Sequence, residues 1–85
     1  MKYSITFKPS ASNDLDNLPI EIGQKILFEI EKLRNNPRPL HCKKIVGSEK
    51  DWRIRIGDYR VLYEVYDAQK RIRVFRIKHR KEVYR

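Results

Sequence analysis

The sequence predicts a small α+β domain in which two N-terminal helices pack on a mainly antiparallel β-sheet, in the order β-α-α-β-β-β. Three observations predict this class: apolar side chains recur at helical spacing before residue 36, strand-like alternation dominates after residue 51, and a short β-rich segment precedes both. Helices followed by a run of strands are typical of a two-layer α+β sandwich. With 85 residues, the chain is expected to form one domain over residues 1–85, with a thin core.

The first strand and helix are predicted from the opening segment. Residues 3–7 alternate and are rich in β-forming side chains, so they indicate a strand. Ser10 is a favourable N-cap residue for the short helix that follows, in which Asp14 and Asp16 are expected to face solvent. The apolar side of this helix comprises Ala11, Leu15 and Leu18.

The second helix is predicted from Pro19 to about Asn35. Gly23 disfavours the helix by about 1 kcal/mol relative to alanine, but it permits the two helices to pack closely. Pro37 ends the helix, because proline cannot continue it. Leu27 is expected to widen an apolar stripe made of Ile22, Ile26, Ile30 and Leu33.

The second half of the chain is predicted to form the sheet. A brief strand is expected at Lys43 to Val46, followed by strands at 52–56, 59–66 and 71 to about 78. In the last strand Ile72 and Val74 lie on one face by alternation, whereas the apolar residues from Phe75 onward lie on the other. This pattern leaves two alternatives open, namely a β-bulge or a central strand that is covered on both faces.

The turn at residues 57–58 predicts how the two middle strands pair. A two-residue Gly-Asp turn is a signal for a tight hairpin, which places Ile56 opposite Tyr59 and Arg55 opposite Arg60. One face then carries Ile54, Ile56, Tyr59, Val61 and Tyr63, and the other carries Arg53, Arg55, Arg60 and Leu62. Trp52 shares the first face and is therefore expected to be a core residue.

The charge of the chain is segregated. The formal net charge is +9, and residues 43–85 hold fourteen basic and six acidic side chains, against six and five in residues 1–42. Like charges that face each other across a sheet are destabilising, and arginine forks match phosphate oxygens. We therefore interpret the face with Arg53, Arg55 and Arg60 as a binding surface for a polyanion such as a nucleic acid.

The end of the chain adds groups that can take part in proton transfer. His79 and Tyr84 are candidate acid or base groups, and Arg80 is a candidate anion binder. His41, Cys42 and His79 lack the spacing of a zinc site, so no metal is expected. The lone Cys42 suits a reducing compartment, and the sequence shows neither a signal peptide nor a membrane span, so a cytoplasmic protein is expected.

Two segments together resemble the RelE family of toxins, within the RelE/ParE superfamily of toxin–antitoxin systems. These are WRIRIGDYRVLYEV at residues 52–65 and IKHRKEVY at residues 77–84. The length, the early helical hairpin, the Asn-Pro helix end and the Gly-x-Tyr-Arg hairpin extend the resemblance over essentially the whole chain. It implies a RelE-like fold and a ribosome-dependent endoribonuclease, which cuts mRNA in the A site through the RNA's own 2′-hydroxyl, without a metal or another cofactor.

The resemblance also implies roles for individual residues. The family's catalytic positions correspond to Arg53, Arg55, Arg60, Arg80, Tyr84 and His79, and RNA contacts are expected from Arg76, Lys78 and Lys81. Some members carry lysine at the positions of Arg53 and Arg55. Because arginine effectively cannot lose its proton, these two residues can stabilise charge but cannot act as the base, which leaves Tyr84, His79 or the RNA and ribosome themselves.

Partners follow from the same resemblance. We expect a RelB-like cognate antitoxin encoded by an adjacent gene. We also expect binding to the 70S ribosome with its mRNA and, through the antitoxin, to promoter DNA, and we expect no membrane partner. Two other functions stay open: a ParE-like inhibitor of DNA gyrase on the same fold, and a non-catalytic module that binds an antitoxin or nucleic acid.

Overall fold

The computed structural model describes residues 2–80, which form two helical segments on a five-stranded sheet. The elements are β1 (Ser4–Phe7), α1 (Pro9–Asp16), α2 (Ile20–Glu31), a 3₁₀ turn (Lys32–Arg34), β2 (Lys43–Lys44), β3 (Asp51–Ile56), β4 (Tyr59–Tyr66) and β5 (Arg71–His79). The strand order is β1-β5-β4-β3-β2. β1 runs parallel to β5, and the other pairs are antiparallel, which confirms the predicted α+β class.

The core lies between the helices and one face of the sheet. Ile26, Ile30 and Leu33 are almost fully buried there, as the helical stripe predicted. Leu27 is 39% exposed, so the prediction that it widens the stripe is wrong, because its position turns away from the sheet. The buried strand residues are Ile54, Ile56, Val61, Tyr63, Val65, Ile72, Val74 and Ile77. Tyr3, just before β1, is buried with them.

The start of α1 differs from the sequence prediction. Lys8 occupies the N-cap position and Pro9 is the first helical residue, where its fixed φ and missing N–H cost nothing. Ser10 is therefore not the N-cap, and its Oγ instead donates a hydrogen bond to the Phe75 carbonyl oxygen at 2.8 Å. Asp14 does not face solvent either, because its carboxylate accepts hydrogen bonds from β5.

The hairpin between β3 and β4 has the predicted register. Ile56 pairs with Tyr59 and Arg55 with Arg60, across a turn in which Gly57 has a φ of +60°. A positive φ is a conformation that glycine adopts without steric cost, so Gly57 permits this tight connection. Trp52 pairs with Tyr63 on the core face, but it is only half-buried at the margin of the core.

The irregular alternation of β5 is explained by a β-bulge, which is the first of the two alternatives that its sequence left open. Leu62 pairs with Arg76 and Tyr63 with Val74, so Phe75 is an extra residue that forms a bulge. The bulge lets Val74 and Ile77 both face the core although they are three residues apart. β5 is also flanked by β1 and β4 within the sheet. Within residues 2–80, no helix has the length and apolar character needed to cross a membrane.

Candidate nucleic-acid site

Three arginines lie together on the sheet face opposite the core. Arg55 and Arg60 are paired across the hairpin, and Arg53 pairs with Leu62 two residues further along. Their exposure differs, since Arg55 is exposed, Arg53 is half-buried and Arg60 is only 8% exposed. The hairpin therefore places one guanidinium group deep and two nearer the surface.

Neighbouring elements complete a cavity around these arginines. β2 pairs with β3 so that Lys43 lies opposite Arg53, and the segment before β2 brings in His41. The resulting cavity of about 260 Å³, which we call the arginine cavity, is lined by His41, Lys43, Arg53, Ile54, Arg55 and Arg60. Four of its six lining side chains are cationic, and none is a carboxylate.

Two hydrogen bonds fix the elements next to this cavity. The Arg55 Nε donates a hydrogen bond to the Gly57 carbonyl oxygen at 3.0 Å, which ties the exposed guanidinium to the hairpin turn. On the opposite side of the sheet, the buried Tyr63 hydroxyl donates to the Pro37 carbonyl oxygen at 2.7 Å. Burial raises the pKa of the Tyr63 phenol, so this donor keeps its proton and anchors the segment that leads to His41.

The chemistry available in the cavity is the binding of phosphate and the stabilisation of developing negative charge. Guanidinium groups donate paired hydrogen bonds to phosphate oxygens, and they stay charged at all accessible pH values. Preorganised donors of this kind act most strongly on a transition state that gains negative charge. Among the described residues no cluster of three or more His, Cys, Asp or Glu side chains could hold a metal ion.

Lys78 and Arg80 extend the basic surface along β5. Lys78 pairs with Arg60 across β4 and β5, so these two residues share a face of the sheet. The Arg80 backbone N–H donates to the Asp58 carbonyl oxygen at 2.7 Å, which fixes the backbone of Arg80 beside the hairpin turn. The structure thus brings the backbone positions of two further predicted site residues close to the arginine cavity.

Arg76 has a different environment. Its Nε donates to Asp14 Oδ2 at 2.8 Å and its second contact, from Nη2 to Oδ1, is 3.3 Å long. The Ile77 backbone N–H donates to the same carboxylate at 2.9 Å. The guanidinium of Arg76 therefore joins α1 to β5, and it does not line the arginine cavity.

His79 and the last residues of the chain complete the predicted set. His79 pairs with Tyr59, and their rings meet edge-to-face with centroids 5.1 Å apart. Both side chains line a separate cavity together with Asp14 and Leu18 of the helical layer, so His79 lies away from the arginines. Lys81 and Tyr84 lie outside the described residues.

Two lining residues, His41 and Lys43, had no site role in the sequence prediction. Lys43 was expected in a brief strand. The connection from β2 to β3 carries no tight-turn signal, so the sequence did not predict which residue of β3 lies opposite Lys43. His41 was considered only as a metal ligand. Their part in the cavity depends on strand pairing and on the Tyr63–Pro37 hydrogen bond, neither of which has a local sequence signal.

Known proteins are similar to this chain in sequence and in fold. Residues 5–84 match a family model described as the ParE toxin of a type II toxin–antitoxin system. The putative toxin RelE1 of Methanocaldococcus jannaschii is 32% identical, over 100% of this chain and 98% of the relative. The toxin in the RelE–RelB complex of Pyrococcus horikoshii has a TM-score of 0.82 at 28% identity, with 94% and 97% of the two chains covered. The matching chain of the Mycobacterium tuberculosis RelBE2 toxin–antitoxin complex has a TM-score of 0.80 at 28% identity, and the match covers 94% of this chain and 100% of that chain.

Proposed function

Because this chain belongs to the RelE family of toxins from type II toxin–antitoxin systems, we propose that it is a ribosome-dependent endoribonuclease. It cuts mRNA in the ribosomal A site through attack by the RNA's own 2′-hydroxyl, which leaves a cyclic phosphate and stops translation. The observation that carries this proposal is the arginine cavity, in which Arg53, Arg55 and Arg60 converge with no carboxylate among the lining residues.

The roles of the arginines follow from the negative charge that develops in the transition state. Attack on phosphorus concentrates negative charge on the phosphate oxygens, and Arg53, Arg55 and Arg60 stabilise that charge. Arg80, whose backbone is fixed beside the hairpin turn, joins them from the end of β5. Loss of one such donor typically costs about 2.7–4 kcal/mol of transition-state stabilisation. Lys78 and Lys81 bind the RNA backbone.

The test uses the purified toxin, 70S ribosomes programmed with a defined mRNA, and primer extension to map the cuts. Wild type is expected to cut within the A-site codon, and Arg80→Ala and Tyr84→Phe are expected to lose cleavage and growth arrest while keeping the folded state. Tyr84 is included as a proton-transfer candidate on the resemblance alone. Full cleavage by both variants would contradict the roles assigned to Arg80 and Tyr84. If the wild-type protein leaves the mRNA uncut, the proposed function is wrong.

The partner of the toxin is a cognate antitoxin. Similar toxins from Pyrococcus horikoshii and Mycobacterium tuberculosis were each crystallised in complex with an antitoxin. We propose a RelB-like antitoxin encoded beside this gene, with an acidic stretch that meets the arginines, and binding of the complex to promoter DNA mainly through the antitoxin. Co-expression with the neighbouring short reading frame is expected to restore growth.

A second candidate function is inhibition of DNA gyrase, and the match to the ParE family model over residues 5–84 favours it. The two candidates predict different first effects after induction of the toxin. Pulse labelling with an amino acid and with thymidine separates them. The endoribonuclease stops incorporation of the amino acid first, whereas a gyrase inhibitor stops DNA synthesis first.

A further inference from the structure

His41 lies between two cavities. On one side it lines the arginine cavity, and on the other it lines a cavity of about 200 Å³ against the end of the helical layer. Ile54 also lines both, which makes the two cavities neighbours. The second cavity has apolar walls from Leu33 and Pro39. His41 itself is exposed, so its imidazole is accessible to a bound molecule.

We propose that His41 is the group that takes the proton from the attacking 2′-hydroxyl in the arginine cavity. This inference rests on the proposed endoribonuclease function and deepens it. The arginines of the cavity bind the phosphate but effectively cannot accept a proton. Histidine is the side-chain type that exchanges a proton near neutral pH without special tuning, and it is the most frequent general base in enzymes.

The position of His41 suits the geometry of the reaction. The ribose that carries the attacking hydroxyl is joined directly to the scissile phosphate, so it must lie beside the phosphate site. With the phosphate held by the arginines, the ribose would lie toward the neighbouring cavity of about 200 Å³ past His41. His41 then lies where the 2′-hydroxyl and the phosphate meet.

The step balances with water as its only co-reactant. The 2′-hydroxyl gives its proton to an imidazole nitrogen of His41, and the 2′-oxygen forms a bond to phosphorus. The bond between phosphorus and the 5′-oxygen breaks, and the leaving 5′-oxygen takes a proton that water supplies, directly or through Tyr84. The products are a 2′,3′-cyclic phosphate and a free 5′-hydroxyl, and His41 later returns its proton to solvent.

The charged groups around His41 come from both layers. Lys43 and three arginines (Arg53, Arg55 and Arg60) face it through the arginine cavity, and Glu29 and Lys32 face it through the second cavity. Lys32 Nζ and Glu29 Oε2 are 3.0 Å apart, so the acidic group is paired with a cation. His79, the competing histidine, lies in a cavity that contains none of these groups.

The test compares single-turnover cleavage of ribosome-bound mRNA by wild type, His41→Gln and His79→Gln across pH 5 to 9. His41→Gln is expected to lower the rate by about 10²-fold or more and to lose the rise in rate with pH that wild type shows on the acidic side. His79 is a base candidate that the family resemblance implies, so His79→Gln decides between the two histidines. The proposal requires His79→Gln to keep that pH profile, and loss of the rise in His79→Gln together with its retention in His41→Gln overturns the proposal. Added imidazole is expected to restore part of the activity of His41→Ala, which a purely structural residue would not allow.

The outcomes separate this inference from the function on which it rests. Wild-type cleavage together with an unchanged rate and pH profile in His41→Gln overturns the role of His41 and leaves the endoribonuclease intact. The absence of cleavage by wild type overturns both. Thermal unfolding of each variant shows whether it is folded. A folded His41→Gln variant that cuts slowly but keeps the wild-type pH profile also overturns the proposal.

Discussion

Arg55 and Arg60 lie directly opposite each other across the β3–β4 hairpin, on the sheet face away from the core. Two like charges in this position destabilise a sheet. The same pair lines the arginine cavity, where a bound phosphate would neutralise it. The hairpin thus holds two guanidinium groups side by side in an arrangement that a bound polyanion would stabilise.

Replacing Arg55 with threonine separates stability from activity. Arg55→Thr removes the repulsion and also the exposed hydrogen bond from the Arg55 Nε to the Gly57 carbonyl oxygen. Because water largely replaces an exposed hydrogen bond, the variant is expected to raise the free energy of unfolding by several tenths of a kcal/mol, since facing pairs contribute roughly 0.2–1 kcal/mol. The variant is also expected to cut mRNA about 10²–10³-fold more slowly, because it lacks one donor to the phosphate. Urea denaturation and single-turnover cleavage measure the two effects.

Arg73 provides the matched control for this substitution. It lies opposite Glu64 in the pairing of β4 with β5, so its cross-strand neighbour carries the opposite charge. Arg73→Thr is therefore expected to lower stability and to leave cleavage close to that of wild type. A loss of stability in Arg55→Thr equal to that in Arg73→Thr would contradict the repulsion argument.

The Asp14 carboxylate is expected to be the most important polar contact between α1 and the sheet. It accepts hydrogen bonds from Arg76 at 2.8 Å and from the Ile77 backbone N–H at 2.9 Å, and its side chain is only 18% exposed. Hydrogen bonds to charged groups contribute about 1.5–3 kcal/mol, so Asp14→Ala is expected to lose about that much stability in thermal or urea unfolding.

An exposed ion pair provides a control for the stability loss expected in Asp14→Ala. Glu31 Oε1 lies 2.7 Å from Arg34 Nε, but the glutamate side chain is 61% exposed and the pair is local. Exposed pairs of this kind contribute little, so Glu31→Ala is expected to unfold close to wild type. Equal losses in the two variants would show that Asp14 acts only as a surface charge.

Substitution by alanine is expected to change the stability of the protein in opposite directions at two glycines. Gly23 lies inside α2, and an added Cβ would meet Leu15 Cδ1 at 3.8 Å, which is ordinary contact. Gly23→Ala is therefore expected to stabilise the protein by about 0.5–1 kcal/mol. Gly57 has a φ of +60°, so Gly57→Ala is expected to cost roughly 1–2 kcal/mol. Stability changes of the same sign would contradict the argument from backbone conformation.

The hairpin was predictable from sequence because its register depends on local features. The Gly57–Asp58 turn and the alternation around it are enough to place Arg53, Arg55 and Arg60 on one face, and the structure has that register. The helical stripe was predictable for the same reason, since the 3.6-residue period is local. Both predictions use residues that are close together in the chain.

The failure at Asp14 and the missed role of His41 depend on contacts between distant residues. Asp14 looks like a solvent-facing residue in α1, yet its partners, Arg76 and Ile77, are more than sixty residues away. The place of His41 beside the arginines requires the pairing of β2 with β3 and the anchoring of residue 37 by Tyr63. No periodicity in the sequence encodes such long-range partners, so the cavity was predicted only in part.

The contact between Asp67 and Tyr3 predicts how stability depends on pH. The Tyr3 hydroxyl donates to Asp67 Oδ1 at 2.7 Å, and Arg38 Nη2 lies 2.9 Å from the same oxygen. The hydrogen bond from Tyr3 and then the one from Arg38 hold the pKa of Asp67 below its ordinary value of 3.8. The unfolded chain therefore binds more protons than the folded protein as the pH falls through that region.

It follows that Asp67 contributes stability fully above about pH 5 and progressively less below about pH 4. Asp67→Asn is expected to be less stable than wild type at pH 7, with a difference in urea midpoint that closes on acidification. At the alkaline end, the hydrogen bond to Asp67 raises the pKa of Tyr3 above 10.0, so its contribution persists at neutral pH and falls as the pH rises beyond 10. A midpoint difference between wild type and Asp67→Asn that stays constant from pH 7 to pH 3 would show that the carboxylate charge has no part in this contact.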